Sequence, residues 1–277
     1  MEVDLKALKD TPPWDWSAGT GEKLVNVLRD EQELESDRLL ATEMAGDFTV
    51  VNDELVEALL AILRNSEVSK QVRARAAISL GPVLEYADTE GFDDAGDVPI
   101  SEPTFQGIQG ALHQLYRDAH IPNEVRRRIL EASVRAPREW HENAVRSAYS
   151  SGDDLWKLTA VFCMRFVRGF NELIVEELDN KNPDIHLEAV LAAGSWGVEA
   201  AWPHMAALIH SRRTPKPLLL AAIGAVPSIR PQQAGEVLSR LIESDDEEIV
   251  EAVHEALAMA EEPSAEDEDD EDGPFLQ

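Results

Sequence analysis

The chain is poor in cysteine and in long apolar segments, and both shortages exclude classes of protein. One cysteine among 277 residues rules out an intramolecular disulfide framework. That residue, Cys163, is predicted to be a small buried side chain inside a helix, because a reactive thiolate needs a basic neighbour or a helix start. No apolar run approaches the ~20 residues of a membrane helix, and no signal peptide is recognisable. A cytoplasmic location without membrane contact is therefore expected.

Positive charge is the next shortage. Lysine and arginine together number 25 against 54 acidic residues, which gives a formal net charge of −29. Such a field repels phosphate backbones, so a nucleic-acid partner is not expected. The acids are densest between residues 261 and 272. The segment 261–277 is therefore predicted to be a disordered acidic tail.

The sequence also lacks the motifs of common catalytic sites. No two histidines stand at i, i+4, and both the nucleophile-elbow motif and the dinucleotide-binding glycine motif are absent. The acidic segment 88–101 lacks the spacing of a calcium-binding EF-hand loop, which favours a solvated inserted loop. These absences predict no catalytic residue, no metal site and no cofactor. They also predict that the chain is not an enzyme.

The main positive feature is a repeat of about 30 residues. Ile185 is followed by Ala189, Ala192 and Ala193, a spacing that places small or apolar side chains on one face of a helix. Comparable groups begin at Val72, Val125, Leu155, Pro217 and Ile249. A second apolar helix follows each first one, so each repeat is predicted to be a helical hairpin. Such hairpins bury their apolar faces only by stacking on one another, with Ala192 and Ala225 pointing inward.

The repeat resembles a known family. Residues 184–190 (Asp-Ile-His-Leu-Glu-Ala-Val) and residues 198–203 (Val-Glu-Ala-Ala-Trp-Pro) are similar to HEAT repeats, notably the short bacterial HEAT-like kind of the PBS-lyase type. The resemblance implies an all-α fold, a right-handed α-solenoid (α/α superhelix) of HEAT-like helical hairpins. A single solenoid domain is expected over residues 20–260, with the inserted loop at 88–101 and an N-terminal arm at 1–19.

Two functions follow from this resemblance as predictions. The preferred one is a non-enzymatic scaffold or adaptor that binds a partner protein or peptide on its curved helical surface. The alternative is an enzyme accessory such as a phycobilin-lyase-like protein that handles a chromophore. The chain itself is predicted to be a monomer.

The resemblance also places the second helices on the concave face, where a partner would bind. The predicted binding residues are those of the second helices that lie off the apolar face. They are Trp140, Asn143, Arg146, Glu172, Glu176, His204, His210, Glu236 and Arg240. Arginines concentrate between residues 126 and 168, and two interpretations of them stay open. They form ion pairs between neighbouring repeats, or they form a basic patch for an acidic peptide.

Overall fold

The computed structural model describes residues 5–93 and 98–261, and in that part of the chain the regular structure is helical and includes no strand. The α-helices are α1 Leu5–Lys9, α2 Thr20–Arg29, α3 Glu35–Met44, α4 Asp53–Arg64, α5 Lys70–Ser79, α6 Gly81–Glu90, α7 Glu102–Arg117, α8 Asn123–Ser133, α9 Trp140–Tyr149, α10 Asp154–Cys163, α11 Asn171–Glu177, α12 Pro183–Ser195, α13 Trp202–His210, α14 Lys216–Ile229, α15 Ala234–Leu238 and α16 Glu247–Glu261. Short 3-10 helices lie at Pro13–Asp15, Glu199–Ala201, Pro231–Gln233 and Ser239–Leu241. The predicted tail from residue 262 onward lies outside the described residues.

The helices are arranged in two compact units, residues 1–151 and residues 152–277, which we call unit 1 and unit 2. In unit 1, the first helices of successive hairpins, α3, α5 and α8, pack side by side, and α2, α4 and α7 form the second row. In unit 2, α10, α12, α14 and α16 form the row of first helices. The second helices α13 and α15 contact each other and also pack on α14. This stacking of hairpins confirms the all-α solenoid that the repeat predicts.

No helix in the described residues combines the length and the apolar character that a membrane span requires. Cys163 is buried and forms no disulfide, as the sequence predicts.

Asn182 and Thr214 each precede a proline at the predicted start of a first helix, so the sequence predicts that both cap a helix. The Asn182 side chain accepts a hydrogen bond of 3.0 Å from the backbone N–H of Asp184, which caps α12 as predicted. Thr214 was expected to cap α14 in the same way, and that prediction is wrong. The Thr214 hydroxyl instead donates to the carbonyl oxygen of Leu208 at 2.7 Å, and Pro215 occupies the cap position without a side-chain bond.

The N-terminal arm is anchored by one of its two tryptophans. The Trp16 indole N–H donates to the carbonyl oxygens of Leu8 and Thr11 at 3.1 and 3.0 Å. Leu5 on α1 is buried, and α1 packs against α3. The sequence predicts that both tryptophans of residues 1–19 anchor the arm, and this prediction is wrong for Trp14, which is 79% exposed.

The segment 69–87 forms two helices where the sequence predicts one that Pro82 bends or ends. The chain ends α5 at residue 79 and begins α6 at Gly81, with Pro82 in its first turn. A Cβ on Gly81 would lie 2.8 Å from Arg135 Cδ and 3.5 Å from Ala132 Cα. The start of α6 therefore lies close against α8, and a Cβ at position 81 would require the Arg135 side chain to shift.

Arginine side chains join neighbouring hairpins. Arg135, which follows α8, forms an ion pair with Glu85 on α6. In unit 2, Arg165 after α10 lies 3.4 Å from Glu188 on α12. Both pairs match the structural interpretation of the arginine-rich segment, in which arginines bind acids of the adjacent repeat.

The carboxyl end of the predicted inserted loop is fixed to the helices. Ile100 is buried, and the backbone N–H of Ser101 donates to Asp53 Oδ1 at 2.8 Å. Residues 94–97 of this loop lie outside the described residues.

The buried faces of most first helices agree with the predicted spacing, but two first helices differ. Ile185 and the three alanines after it are all buried on α12. On α14, Pro217 and Gly224 are exposed, whereas Ala222, Ile223 and Val226 are buried. The buried face of α14 thus differs from the predicted one, although Ala225 is buried as predicted. On α10, Leu155 is 56% exposed, so it does not lead a buried face as predicted.

Gly46, which follows α3, is expected to be intolerant of any side chain. A Cβ there would lie 2.5 Å from the carbonyl oxygen of Ser79 at the end of α5. Gly46→Ala should therefore lower the free energy of unfolding by roughly 1–3 kcal/mol through overpacking. Gly110→Ala is the matched control, because a Cβ on Gly110 meets nothing within 4 Å. Because Gly110 is exposed within α7, Gly110→Ala should raise the free energy of unfolding by roughly 0.5–1 kcal/mol. Urea unfolding followed by circular dichroism measures the free energy of unfolding of both variants. Equal changes in Gly46→Ala and Gly110→Ala would contradict the close approach of residues 46 and 79.

Candidate functional site

The predicted binding residues of unit 1 lie on α9. Trp140 is half-buried because it packs within a group of aromatic side chains. Its ring stacks on His113 with 4.7 Å between centroids and on His141 with 3.8 Å, and Tyr116 lies 5.2 Å away. Trp140 therefore contributes to packing between α7 and α9 and presents only part of its ring to solvent.

The other two predicted residues on α9, Asn143 and Arg146, are exposed. Arg146 forms an ion pair with Glu142 one turn earlier on the same helix, at 3.0 Å. The pair is exposed, so it contributes little to stability.

The predicted binding residues of unit 2 are distributed over three helical segments. Glu172 and Glu176 on α11 are exposed, as is Glu236 on α15. His204 is turned toward His186 on α12 rather than fully outward, with 2.8 Å between their Nε2 atoms. Of the nine predicted residues, only His210 and Arg240 are brought together in a cavity that unit 2 forms.

This cavity has a volume of about 340 Å³ and lies beside the loop that joins α13 to α14. Its lining residues come from the end of α13, the loop, the start of α14, α15 with the 3-10 helix that follows it, and the start of α16. They are Ile209, His210, Ser211, Arg212, Thr214, Lys216, Leu219, Val237, Arg240, Leu241 and Ile249. The hydrogen bond from Thr214 to the carbonyl oxygen of Leu208 holds the loop against α13 and so shapes one side of the cavity.

The floor of the cavity is apolar. Ile209, Leu219 and Val237 are buried there, and Leu241 and Ile249 are partly exposed along its wall. A floor of branched aliphatic side chains accepts an apolar group and offers it no hydrogen-bond partner.

The rim of the cavity carries positive charge in an otherwise acidic protein. Among the described residues, Arg212 and Arg240 form no ion pair and no side-chain hydrogen bond, and both are exposed. A guanidinium group presents a planar fork of donors that matches a carboxylate. The rim is therefore suited to bind an anionic group placed above the apolar floor.

The third cation of the rim, Lys216, is already neutralised. Its Nζ lies 2.7 Å from Asp246 Oδ2 and 2.6 Å from Glu248 Oε2. The hydrogen bonds that Lys216 donates to Asp246 and then to Glu248 raise the pKa of Lys216, and the first of them lowers the pKa of Asp246. This triad joins the start of α14 to the start of α16 and carries one net negative charge, so Arg212 and Arg240 are the rim's only cations without an ion pair among the described residues.

Sequence reasoning found His210 and Arg240 but missed the rest of this cavity. The available signal was the pair of arginines at positions 212 and 213 in a short segment between two predicted helices. The place of Arg212 on the rim depends on how the loop folds back along α13, which helical periodicity does not describe.

The sequence matches no protein-family model and no curated protein sequence. Among solved structures, human deoxyhypusine hydroxylase in complex with glycerol is similar at 17% identity and a TM-score of 0.40, with 93% of this chain and 88% of that chain covered. YibA of E. coli is similar at 15% identity and a TM-score of 0.47, with coverages of 86% and 82%. An engineered protein is similar at 18% identity and a TM-score of 0.36, with coverages of 87% and 96%. The first two are HEAT-repeat-like helical proteins.

The prediction that the chain is not an enzyme is corrected by these similarities. Human deoxyhypusine hydroxylase is an enzyme with a HEAT-like fold, so a helical-repeat architecture does not separate scaffolds from enzymes. An identity of 17% with a TM-score of 0.40 assigns no reaction to this chain. Neither the scaffold prediction nor the phycobilin-lyase-like alternative is tested by these structures.

Proposed function

We propose that this chain binds a short segment of a partner protein at the cavity of unit 2. In this proposal, an apolar side chain of the partner enters the cavity and a carboxylate beside it binds Arg212 and Arg240. The single observation that carries the proposal is an apolar cavity whose rim holds two arginines without ion pairs among the described residues.

The size of the cavity supports a side chain as the inserted group. A volume of about 340 Å³ lies at the lower end of the range for small ligand sites, about 300–1,000 Å³. Burying one leucine or phenylalanine side chain contributes roughly 1.5–3 kcal/mol. Hydrogen bonds to a charged group contribute roughly 1.5–3 kcal/mol more. These contributions fit a short peptide segment better than a broad and flat interface.

The charge of the rim supports an acidic segment over a basic one. The net charge of −29 repels an acidic peptide at long range. That repulsion is screened beyond about 8 Å at physiological ionic strength, whereas contacts at the rim are not. The two arginines thus determine the sign of the charge that binds at this position.

The proposal is tested with immobilised peptide libraries and the fluorescently labelled full chain. One library fixes Leu or Phe beside Asp or Glu, a second replaces the acids by Lys, and a third replaces the apolar residues by Ser. We expect binding to the first library and little binding to the other two. Equal or stronger binding to the lysine library would contradict the proposal.

The best peptide then tests the cavity itself. Arg212→Glu and Arg240→Glu should each weaken binding at least tenfold, because each places a like charge beside the peptide carboxylate. Arg64→Glu in unit 1 is the matched control, since Arg64 is exposed and forms no ion pair among the described residues. Fluorescence anisotropy measures the affinities. If Arg64→Glu weakened peptide binding as much as Arg240→Glu does, the binding site would lie elsewhere.

A further inference from the structure

The segment 262–277, which follows the described residues, combines a run of acids with a pair of large apolar residues. Residues 266–272 are seven consecutive acids. A Gly-Pro pair separates them from Phe275 and Leu276. Carboxylates and a large apolar side chain thus stand within a few residues of each other, which is the combination that the cavity of unit 2 is suited to bind.

We propose that the segment 262–277 is an internal ligand of this cavity. Phe275 enters the apolar floor, and acids of the run 266–272 bind Arg212 and Arg240 on the rim. A partner segment must then displace the chain's own segment before it binds. The inference rests on the function proposed above, because it assigns an occupant and a means of regulation to the same cavity.

The charges of the cavity complement those of the segment. Among the described residues, no acidic side chain lines the cavity, and Arg212 and Arg240 form no ion pair. Arg213, which follows Arg212 in the loop, is also exposed and forms no ion pair in the same part of the chain. Each guanidinium group offers a planar fork of donors to a carboxylate. The loop and the rim therefore offer three arginines to a run of acids.

The length of the chain allows the segment to reach the cavity. Ile249 lines the cavity from the first turn of α16, and this helix ends at Glu261. At a rise of 1.5 Å per residue, the helix covers about 18 Å between these two residues. The chain from Glu261 to Phe275 can span at most about 46 Å. The available length is therefore more than twice the distance back along α16.

The covalent connection makes weak binding sufficient. A ligand joined through a short linker has an effective concentration of about 1 mM. If the isolated segment binds with a Kd of about 0.1 mM, it occupies the cavity in roughly nine of ten molecules when it is attached. The affinity for any competing peptide then falls roughly tenfold, because only the unoccupied fraction can bind it.

The proposal is tested with a fluorescently labelled synthetic peptide that copies residues 266–277. Anisotropy measures its affinity for the full chain and for full-length variants. The double variant Phe275→Ser/Leu276→Ser should bind the peptide roughly tenfold more tightly than the parent, because its own segment no longer competes. Ala265→Ser is the matched control in the same segment and should bind like the parent. Adding Arg240→Glu to the double variant should weaken binding at least tenfold.

The outcomes separate this inference from the function on which it rests. Equal affinities of the parent and the double variant would overturn the internal ligand. The proposed function would still stand if the best library peptide bound and remained sensitive to Arg240→Glu. It would fail if neither the parent nor the double variant bound any peptide of the library that joins Leu or Phe to Asp or Glu.

A cross-linking experiment locates the segment directly. Phe275 is replaced in the full chain by the photo-reactive benzoylphenylalanine, and the cross-linked residues are identified by mass spectrometry. We expect cross-links to the lining residues between 209 and 249, within single chains and with a yield that does not change on dilution. Cross-links found only between two chains would assign the cavity to a second copy's segment, and cross-links outside the cavity would place the segment elsewhere. Either result would overturn the proposal.

Discussion

Ala225→Phe is expected to lower the free energy of unfolding by about 3 kcal/mol, near the upper end of the cost of overpacking a core. Ala225 is buried on α14, beside Gly194 of α12. A Cβ on Gly194 of α12 would lie only 3.0 Å from Ala225 Cβ and 3.1 Å from its Cα. A phenyl ring at position 225 therefore meets the backbone of α12 and separates the two first helices. For a unit of this size, the melting temperature should fall by roughly 10 °C.

The matched control introduces the same residue one position earlier. Gly224 is exposed, and a Cβ there would meet no atom within 4 Å. Gly224→Phe should therefore change the free energy of unfolding by less than about 1 kcal/mol. Thermal unfolding followed by circular dichroism distinguishes the two variants. If Gly224→Phe were more destabilising than Ala225→Phe, the exposure of Gly224 on α14 would be contradicted.

The disagreement over α14 shows where sequence periodicity stops being informative. On α12, polar residues alternate with alanines and aliphatic residues, so the sequence identifies one buried face, and the structure confirms it. On α14, residues 217–223 are proline, leucine, alanine and isoleucine without a polar residue. A helix that is apolar on all sides gives no preferred face, so the register of its buried residues depends on packing against α12 and α16.

The candidate sites show the same limit at the level of side chains. Arg240 and His210 could be placed off the apolar face because helical spacing determines which residues share a face. The meeting of His186 and His204 could not be predicted, because a separation of 18 residues across a loop and two helices has no fixed geometry in sequence. The rim arginine Arg212 was missed for a related reason, since loop 211–215 has no period.

Acidification is expected to destabilise unit 1 through His141. This side chain is buried in α9, where burial lowers its pKa from 6.5 to about 4. The neighbouring charges of His113 and Arg138 lower the pKa further, whereas a backbone hydrogen bond with Arg138 raises it. Because Nδ1 lies 2.8 Å from the backbone N–H of Arg138, the neutral ring accepts there, and its Nε2–H donates to Ser133 Oγ at 3.1 Å. Protonation of Nδ1 removes the acceptor for that N–H and places a charge in the core.

The sign of the pH dependence follows from the lowered pKa. The unfolded chain binds a proton at His141 below pH 6.5, whereas the folded chain does so only near pH 4. The stabilisation is thus complete above pH 6.5 and is lost as the pH falls through 4. Between pH 7 and pH 4, this group alone should lower the free energy of unfolding by about 3 kcal/mol.

His141→Gln isolates this contribution from the acids that also titrate in the same interval. A glutamine amide can accept from the Arg138 N–H or donate to Ser133, but it carries no proton that titrates between pH 4 and 7. The difference in unfolding free energy between the parent and this variant should therefore fall by about 3 kcal/mol from pH 7 to pH 4. His120→Gln, at an exposed histidine of the same unit, should leave that difference nearly constant. Urea unfolding at a series of pH values measures this difference for both variants. Parallel pH profiles of the unfolding free energy for the parent and His141→Gln would show that His141 does not make unit 1 sensitive to acid.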